Sequence, residues 1–279
     1  MRPLRLVLLL VLVASAACRG AATEDRPRVV ASFYPLAWLA ERVGGSDVSV
    51  EDLTPPGVEA HDTKLTASQR ADIQDAAVVI VLGEPGFQPD VEAAAEEARG
   101  RVIRVTDLVE LRGSGGTVDP HFWLDPDLLA KLAVPLADAL GSENRRALQV
   151  VEQLRGIARL GDETRGCPHR EFVVSHEAFG YLADRYGLRE LGIEGVVPES
   201  EPSAARIEAA LQAIRSGEAA PAVFYEDTDE GRRIGESVAG DAGVLALPLN
   251  ALESQPESGD YASVMTENFA NLEKGLQCR

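Results

Sequence analysis

Four histidines are spread over 279 residues, and three of them stand in loops where a ligand could be met. His61 follows Pro56-Gly57-Val58-Glu59-Ala60, His121 lies within Asp119-Pro120-His121-Phe122-Trp123-Leu124-Asp125-Pro126, and His176 opens His176-Glu177-Ala178-Phe179-Gly180. Neutral imidazoles from three separate loops, each offering one nitrogen, make a shell that suits zinc and other borderline divalent cations. His176-Glu177 begins like the helix motif of zinc proteases, but Gly180 stands where that motif needs its second histidine, so the proteolytic reading fails. Three histidines plus a water is also the layout of a zinc-dependent hydrolase or hydratase, and Glu226 is the general base that this alternative would use. His169, in Cys167-Pro168-His169-Arg170, precedes a strand and reads as a solvated turn residue. No Gly-rich phosphate loop and no serine nucleophile elbow stands out.

For the three loops to converge, the elements between them must deliver their ends to one edge. Apolar runs and helical patterns alternate along the chain. Strands are expected at 28–33, 48–53, 77–82 and 101–105, with helices at 36–43, 66–75 and 89–99 between them and a Gly/Ser loop at 113–116. Thr66 and Gln69 have capping-box spacing, which sets one helix start. The stretch from Asp127 to Glu163 has no strand signal and reads as helical, with a kink at Pro135 and an interruption at Gly141. Strands then recur at 171–175, 188–193, 222–225 and 243–247, with helices at 178–186, 203–216, 229–239 and 261–275 and a loop at 199–202. This alternation predicts an α/β fold of two parallel-sheet lobes (28–126 and 166–279) joined by a helical connection (127–165), with a metal cleft between them. In open α/β sheets the ligand crevice lies beyond the carboxyl ends of the strands, where His61, His121 and His176 are expected.

Composition narrows the function classes. Against 45 Asp and Glu the chain has 27 Lys and Arg, a net charge of −18, which leaves no cationic footprint for nucleic acid. Residues 1–17 carry Arg2 and Arg5, an apolar run from Leu6 to Ala14 and a small-residue end, the grammar of a bacterial secretory signal. Its removal would take the charge from −18 to −20 by losing two arginines. The small residues before Cys18 resemble a lipobox that would make Cys18 an acylated first residue, with 18–27 as a tether; Ser15 in place of leucine keeps ordinary cleavage near Ala17 as the other reading. Export makes a disulfide the default for Cys167 and Cys278, closing a loop of 111 residues between these two positions.

These motifs, in this order, resemble the metal-binding solute-binding proteins of bacterial zinc/manganese ABC transporters (cluster A-I type), over essentially the whole mature chain. Val29–Val43 is similar to the family's first strand and helix, the segments around His61, His121 and His176 to its three ligand motifs, and Glu201-Pro202-Ser203 to the loop that follows. The resemblance implies an extracytoplasmic, non-catalytic, monomeric carrier that captures Zn²⁺ and delivers it to a membrane permease, with the membrane reached through a lipid on Cys18. It assigns His61, His121 and His176 as metal ligands. Histidine rather than carboxylate at the third position favours Zn²⁺ over Mn²⁺. The family's fourth ligand follows the last strand, and the matching stretch Pro248-Leu249-Asn250-Ala251-Leu252-Glu253 offers Asn250, with Glu226 or water as the alternatives. A metal-binding adhesin lipoprotein is the third reading. The sequence departs from the family at Asn250, where aspartate is usual, and in a short connecting region, and it has no histidine-rich loop before His121.

Overall fold

The computed structural model describes residues 26–114, 117–196 and 202–278. The expected leader, Cys18 and positions 199–201 of the expected loop lie outside the described residues. Strands β1 (Arg28–Ala31), β2 (Ser49–Asp52), β3 (Val78–Val81) and β4 (Arg101–Arg104) form a parallel sheet in the order β2-β1-β3-β4. A short antiparallel pair, β5 (Gly113–Ser114) and β6 (Thr117–Val118), occupies the stretch expected as a loop. Strands β7 (Glu171–Val174), β8 (Arg189–Gly192), β9 (Ala219–Tyr225) and β10 (Leu245–Pro248) form a second parallel sheet, β10-β9-β7-β8. Each sheet is therefore wound second-first-third-fourth, and its crevice opens between its first and third strands.

The strands read as continuous apolar runs because both their faces are covered. Val29, Ala31, Val78 and Ile80 point into one buried cluster while Val30, Val79 and Val81 point into another on the far face. The second sheet repeats the pattern, with Phe172, Val174, Ala222 and Phe224 on the inner face and Val173 and Val223 on the outer. The inner faces of both sheets share one cluster, so the two lobes have a common core. β9 starts three residues earlier than expected and carries Pro221 in mid-sheet; the ladder with β7 is irregular at that point, where a missing N–H is tolerated.

Helices α1 (Tyr34–Gly44), α2 (Ala67–Asp75) and α3 (Pro89–Ala95) cover the first sheet. Thr66 caps α2 in a reciprocal capping box with Gln69, as its spacing predicts. The connecting region is three helices, α4 (Pro126–Ala130), α5 (Ala133–Leu140) and α6 (Asn144–Leu160). Pro135 does not kink a helix: it stands in the first turn of α5, where the missing N–H has no partner to lose. Gly141 ends α5 at φ 61°, a left-handed cap that glycine adopts without strain. In the second lobe α7 (Gly180–Tyr186), α8 (Ala204–Ser216) and α9 (Asp229–Ala242) alternate with the strands. The last helix, α10 (Tyr261–Gly275), spans both lobes. Its N-cap Asp260 accepts from Trp38 Nε1 of α1 at 3.3 Å, and beyond its other end Cys278 is joined by a disulfide to Cys167, ahead of β7. Among the described residues no helix is long and apolar enough to cross a membrane.

Candidate metal centre

His176 lies two residues beyond β7, and Glu226 directly follows β9, so the crevice between the first and third strands of the second sheet puts them face to face. Their contact is 3.0 Å, His176 Nδ1 to Glu226 Oε2. The Glu226 N–H donates to Ser175 Oγ at 3.0 Å, which ties the two strand ends together. His176 Nε2 faces the Val196 carbonyl at 3.0 Å.

His121 enters from the first lobe through a turn that Asp119 builds. Asp119 Oδ1 accepts from the His121 backbone N–H at 3.1 Å and meets its Nδ1 at 2.9 Å, fixing the ring. Asp119 is in turn held by Arg112, whose Nη1 donates to Oδ2 at 3.2 Å while its Nε pairs with Asp184 of α7. Gly180 makes room for this arginine: a Cβ there would lie 1.6 Å from Arg112 Nη1. The glycine that breaks the protease motif thus serves an ion pair between the lobes. The imidazoles of His121 and His176 lie with ring centroids 5.2 Å apart.

The carboxylate that joins them is Glu253. Its Oε1 lies 3.0 Å from His121 Nε2, and one ligand atom each from His121, His176 and Glu253 fall within 4.8 Å of one another. Asn250, expected at this corner, does something else: its amide oxygen accepts from the Leu252 N–H at 2.7 Å. That Asx turn carries Leu252 at φ 59°, a conformation leucine rarely takes, and swings the next side chain inward. Asn268 of α10 fastens the turn, accepting from Asn250 N–H at 2.9 Å and donating to its carbonyl at 2.8 Å. The signal for Glu253 was therefore present as an asparagine suited to a turn, with a glutamate three residues on.

His61 sits in a turn (Ala60–Asp62) after Gly57, whose φ of 76° suits a residue without Cβ. Ala60 is clamped on both sides, its N–H donating to Glu253 Oε2 at 2.8 Å and its carbonyl accepting from Gln88 Nε2 at 2.8 Å. His61 is not inside the His121–His176–Glu253 cluster. Its Nδ1 lies 3.6 Å from Glu253 Oε2, and its Nε2 is turned toward Glu59 at 3.3 Å, so Glu59, His61 and Glu253 form a second, more exposed group. His169 is half-buried, ahead of β7 and away from both groups.

Each of the three histidines has both nitrogens facing acceptors, which favours the doubly protonated ring. Burial would lower the His121 pKa, but the hydrogen bonds to Asp119 and Glu253 outweigh it and hold the ring up to about 9. For His176, burial is again outweighed, here by Glu226, and the value rises to about 10. Burial also opposes charge on His61, yet Glu253 and Glu59 raise it. Conversely, burial would raise Glu253, but His121 and His61 keep it well below the usual carboxylate range. Burial, with Glu226 and Glu253 nearby, pushes Glu59 up to about 7. The cluster holds protons where a divalent cation would supply the same charge.

A family model described as zinc-uptake complex component A, periplasmic, matches residues 29–275. The zinc-binding lipoprotein AdcA of Streptococcus pneumoniae is 27% identical over 90% of the chain, and the chain spans 56% of that relative's length. The high-affinity zinc uptake system protein ZnuA of Bacillus subtilis is 25% identical, with 94% of this chain and 93% of that protein covered. Among solved structures, the Zn(II)-bound ZnuA-like domain of the pneumococcal AdcA superposes with a TM-score of 0.74 at 27% identity, covering 90% of this chain and 99% of that one. The laminin-binding protein of Streptococcus agalactiae, described as bifunctional with adhesin and metal-transporting activity, gives 0.79 at 26% identity, covering 90% of this chain and all of the other.

Proposed function

Because the chain belongs to the family of periplasmic zinc-uptake component A, we propose that it is the extracytoplasmic zinc-binding component of an ABC-type importer, capturing Zn²⁺ and delivering it to a membrane permease. The observation that carries this reading is the buried meeting of His121, His176 and Glu253. The ligand set is His61, His121, His176 and Glu253, with His61 turning from Glu59 to complete the shell. Two ligands on a tetrahedral zinc ion stand about 3.3 Å apart, close to the 3.0 Å between His121 Nε2 and Glu253 Oε1. Asp119 and Glu226 hold the Nδ1 atoms of their histidines and keep the rings aimed; Nε2 of His121 already faces Glu253, and Nε2 of His176 coordinates by exchanging the Val196 carbonyl for the ion. Three imidazoles and one carboxylate favour zinc over manganese, which prefers an oxygen shell.

Four protein donors leave no corner for a reactive water, so the site is that of a carrier and not of a hydrolase or hydratase. The chain works as a monomer outside the cytoplasm, held to the membrane by a lipid on Cys18 once residues 1–17 are removed. The test is zinc titration of the purified protein against a competing chelator, with His61→Ala, His121→Ala, His176→Ala and Glu253→Gln variants alongside. Each variant is expected to bind zinc more weakly, and undiminished affinity in all four would remove the site.

A further inference from the structure

Glu253 belongs to two groups of metal-ligating side chains at once. In the inner one its Oε1 faces His121, and in the outer one its Oε2 lies 3.6 Å from His61 Nδ1, while Glu59 Oε2 lies 3.3 Å from His61 Nε2. Ligand atoms of Glu59, His61 and Glu253 are within 4.8 Å of one another, a limit that the inner cluster also meets. We propose that Glu59, His61 and Glu253 form an outer cation site, in which Zn²⁺ is held before it passes to the inner cluster of His121 and His176. This rests on the reading of the protein as a zinc carrier.

Accessibility orders the two groups. The side chains of Glu59 and His61 are 26% and 19% exposed, whereas those of His121, His176 and Glu253 are 1%, 2% and 3% exposed. A cavity of about 730 Å³ reaches Glu253 from the surface, lined also by Glu59, Glu226, Asp227, Asp229 and Glu257. Arg232, a cation in its wall, is neutralised by Asp227 at 2.7 Å. Carboxylates converging in one cleft raise the local cation concentration. The cavity therefore brings an incoming ion to Glu59 and Glu253, with His61 beside both, while neither His121 nor His176 lines it.

The shared carboxylate supplies the route inward. An ion bound to Glu253 Oε2, His61 and Glu59 can shift to Oε1 while still held by Glu253, gaining His121 and His176 as it gives up Glu59. Held by Glu253 and His61 throughout, it is never returned to water. His61 takes part in both settings, with Glu59 the donor left behind.

The experiment begins with His121→Ala/His176→Ala, which removes both nitrogens of the inner cluster. This double variant should still bind one Zn²⁺ per chain, weaker than the unaltered protein, and adding Glu59→Gln should cost at least about a further tenfold, the lower end of what losing even an outer-shell partner costs. No zinc binding by the folded double variant, or an equal affinity with and without Glu59→Gln, overturns the outer site while leaving the carrier reading intact. Failure of the unaltered chain to bind zinc sinks the carrier reading instead. Should circular dichroism show the double variant unfolded, stopped-flow zinc association by Glu59→Gln in the otherwise intact protein decides. It should be about tenfold slower, and slower than in Glu257→Gln, which removes the same charge from the same cleft. Equal slowing in the two, or none, overturns the proposal.

Discussion

Glu253 Oε1 and His121 Nε2 meet at 3.0 Å across 132 residues of sequence, and the contact joins the two lobes at the centre of the cleft. The same carboxylate accepts from Ala60 N–H beside His61, so one side chain from the second lobe organises two loops of the first. Replacing Glu253 with Gln removes the anionic donor and leaves protonated imidazoles facing an amide. Zinc affinity should fall by at least about a hundredfold, beyond the range typical of losing an outer-shell partner. Chelator competition measures it, and a loss below tenfold would take Glu253 out of the shell.

In the proposed site Asp119 and Glu226 act through the rings they hold. Asp119→Ala and Glu226→Ala should each weaken zinc by about 10–100-fold, with the Asn and Gln variants recovering part of the loss because an amide oxygen still accepts from Nδ1. Arg112→Gln, one contact further out, should cost less than Asp119→Ala. The same ordering should appear in the ligand-field spectrum of the Co²⁺-substituted protein, where a misaimed ring changes the geometry at the ion.

Protonation opposes loading over a range set by the structure and not by free histidine. With His121 raised to about 9 and His176 to about 10 from 6.5, zinc must displace protons from both rings at neutral pH. Affinity should therefore rise steadily from pH 6.5 to about pH 10, and binding near neutrality should release protons that a pH indicator counts. For the metal-free protein the sign is opposite. Groups whose folded pKa is raised contribute stability that is complete below their unfolded value near 6.5 and is lost as pH climbs through about 9 to 10. Thermal melts of the apo protein should fall across that upper window, while melts of the zinc-loaded protein should not.

The disulfide between Cys167 and Cys278 closes a 111-residue loop that contains the whole second sheet. On the chain-entropy account such a loop contributes about 4–5 kcal/mol, so reduction, or a Cys278→Ser change, should lower the melting temperature by many degrees. An unchanged melt on reduction would show that the bridge does not carry stability.

Much of this arrangement was legible in the sequence, and the parts that were not have physical reasons. The strands were visible because burial on both faces makes Val78–Val81 and Glu171–Val174 mostly unbroken apolar runs. The helix Tyr261–Gly275 has the bounds expected for it, and the structure shows why it starts there: Asp260 caps it in a capping box with Ser263. The expected approach of His121 and His176 from two lobes is met, their ring centroids lying 5.2 Å apart, and it was legible because His176 follows a parallel strand and His121 lies in the connection after the last strand of the first sheet. What sequence alone left open was which side chain of this stretch enters the cluster with His121 and His176, because a backbone turn decides it. Asn250 and Glu253 are both plausible oxygen donors in one dimension, and only the hydrogen bond to Leu252 and its left-handed backbone separate the builder of the turn from the side chain it presents. The contact of Glu59 escaped notice for a related reason: it depends on which way the His61 ring faces.

The core shared between the sheets changes what kind of object the cleft is. Phe33 and Trp123 from one lobe and Phe172, Phe224 and Phe269 from the other belong to the same buried cluster, and α10 runs from Trp38 to the disulfide across both. Swinging the sheets apart like the shells of a mussel would tear that cluster open and wet large aromatic surfaces. The molecule is closer to a solid block with a slot cut in one edge. On the proposed reading, exchange of the ion falls to the lips of that slot, the turns around Glu59–His61 and Asn250–Glu253, and not to the shared core behind them.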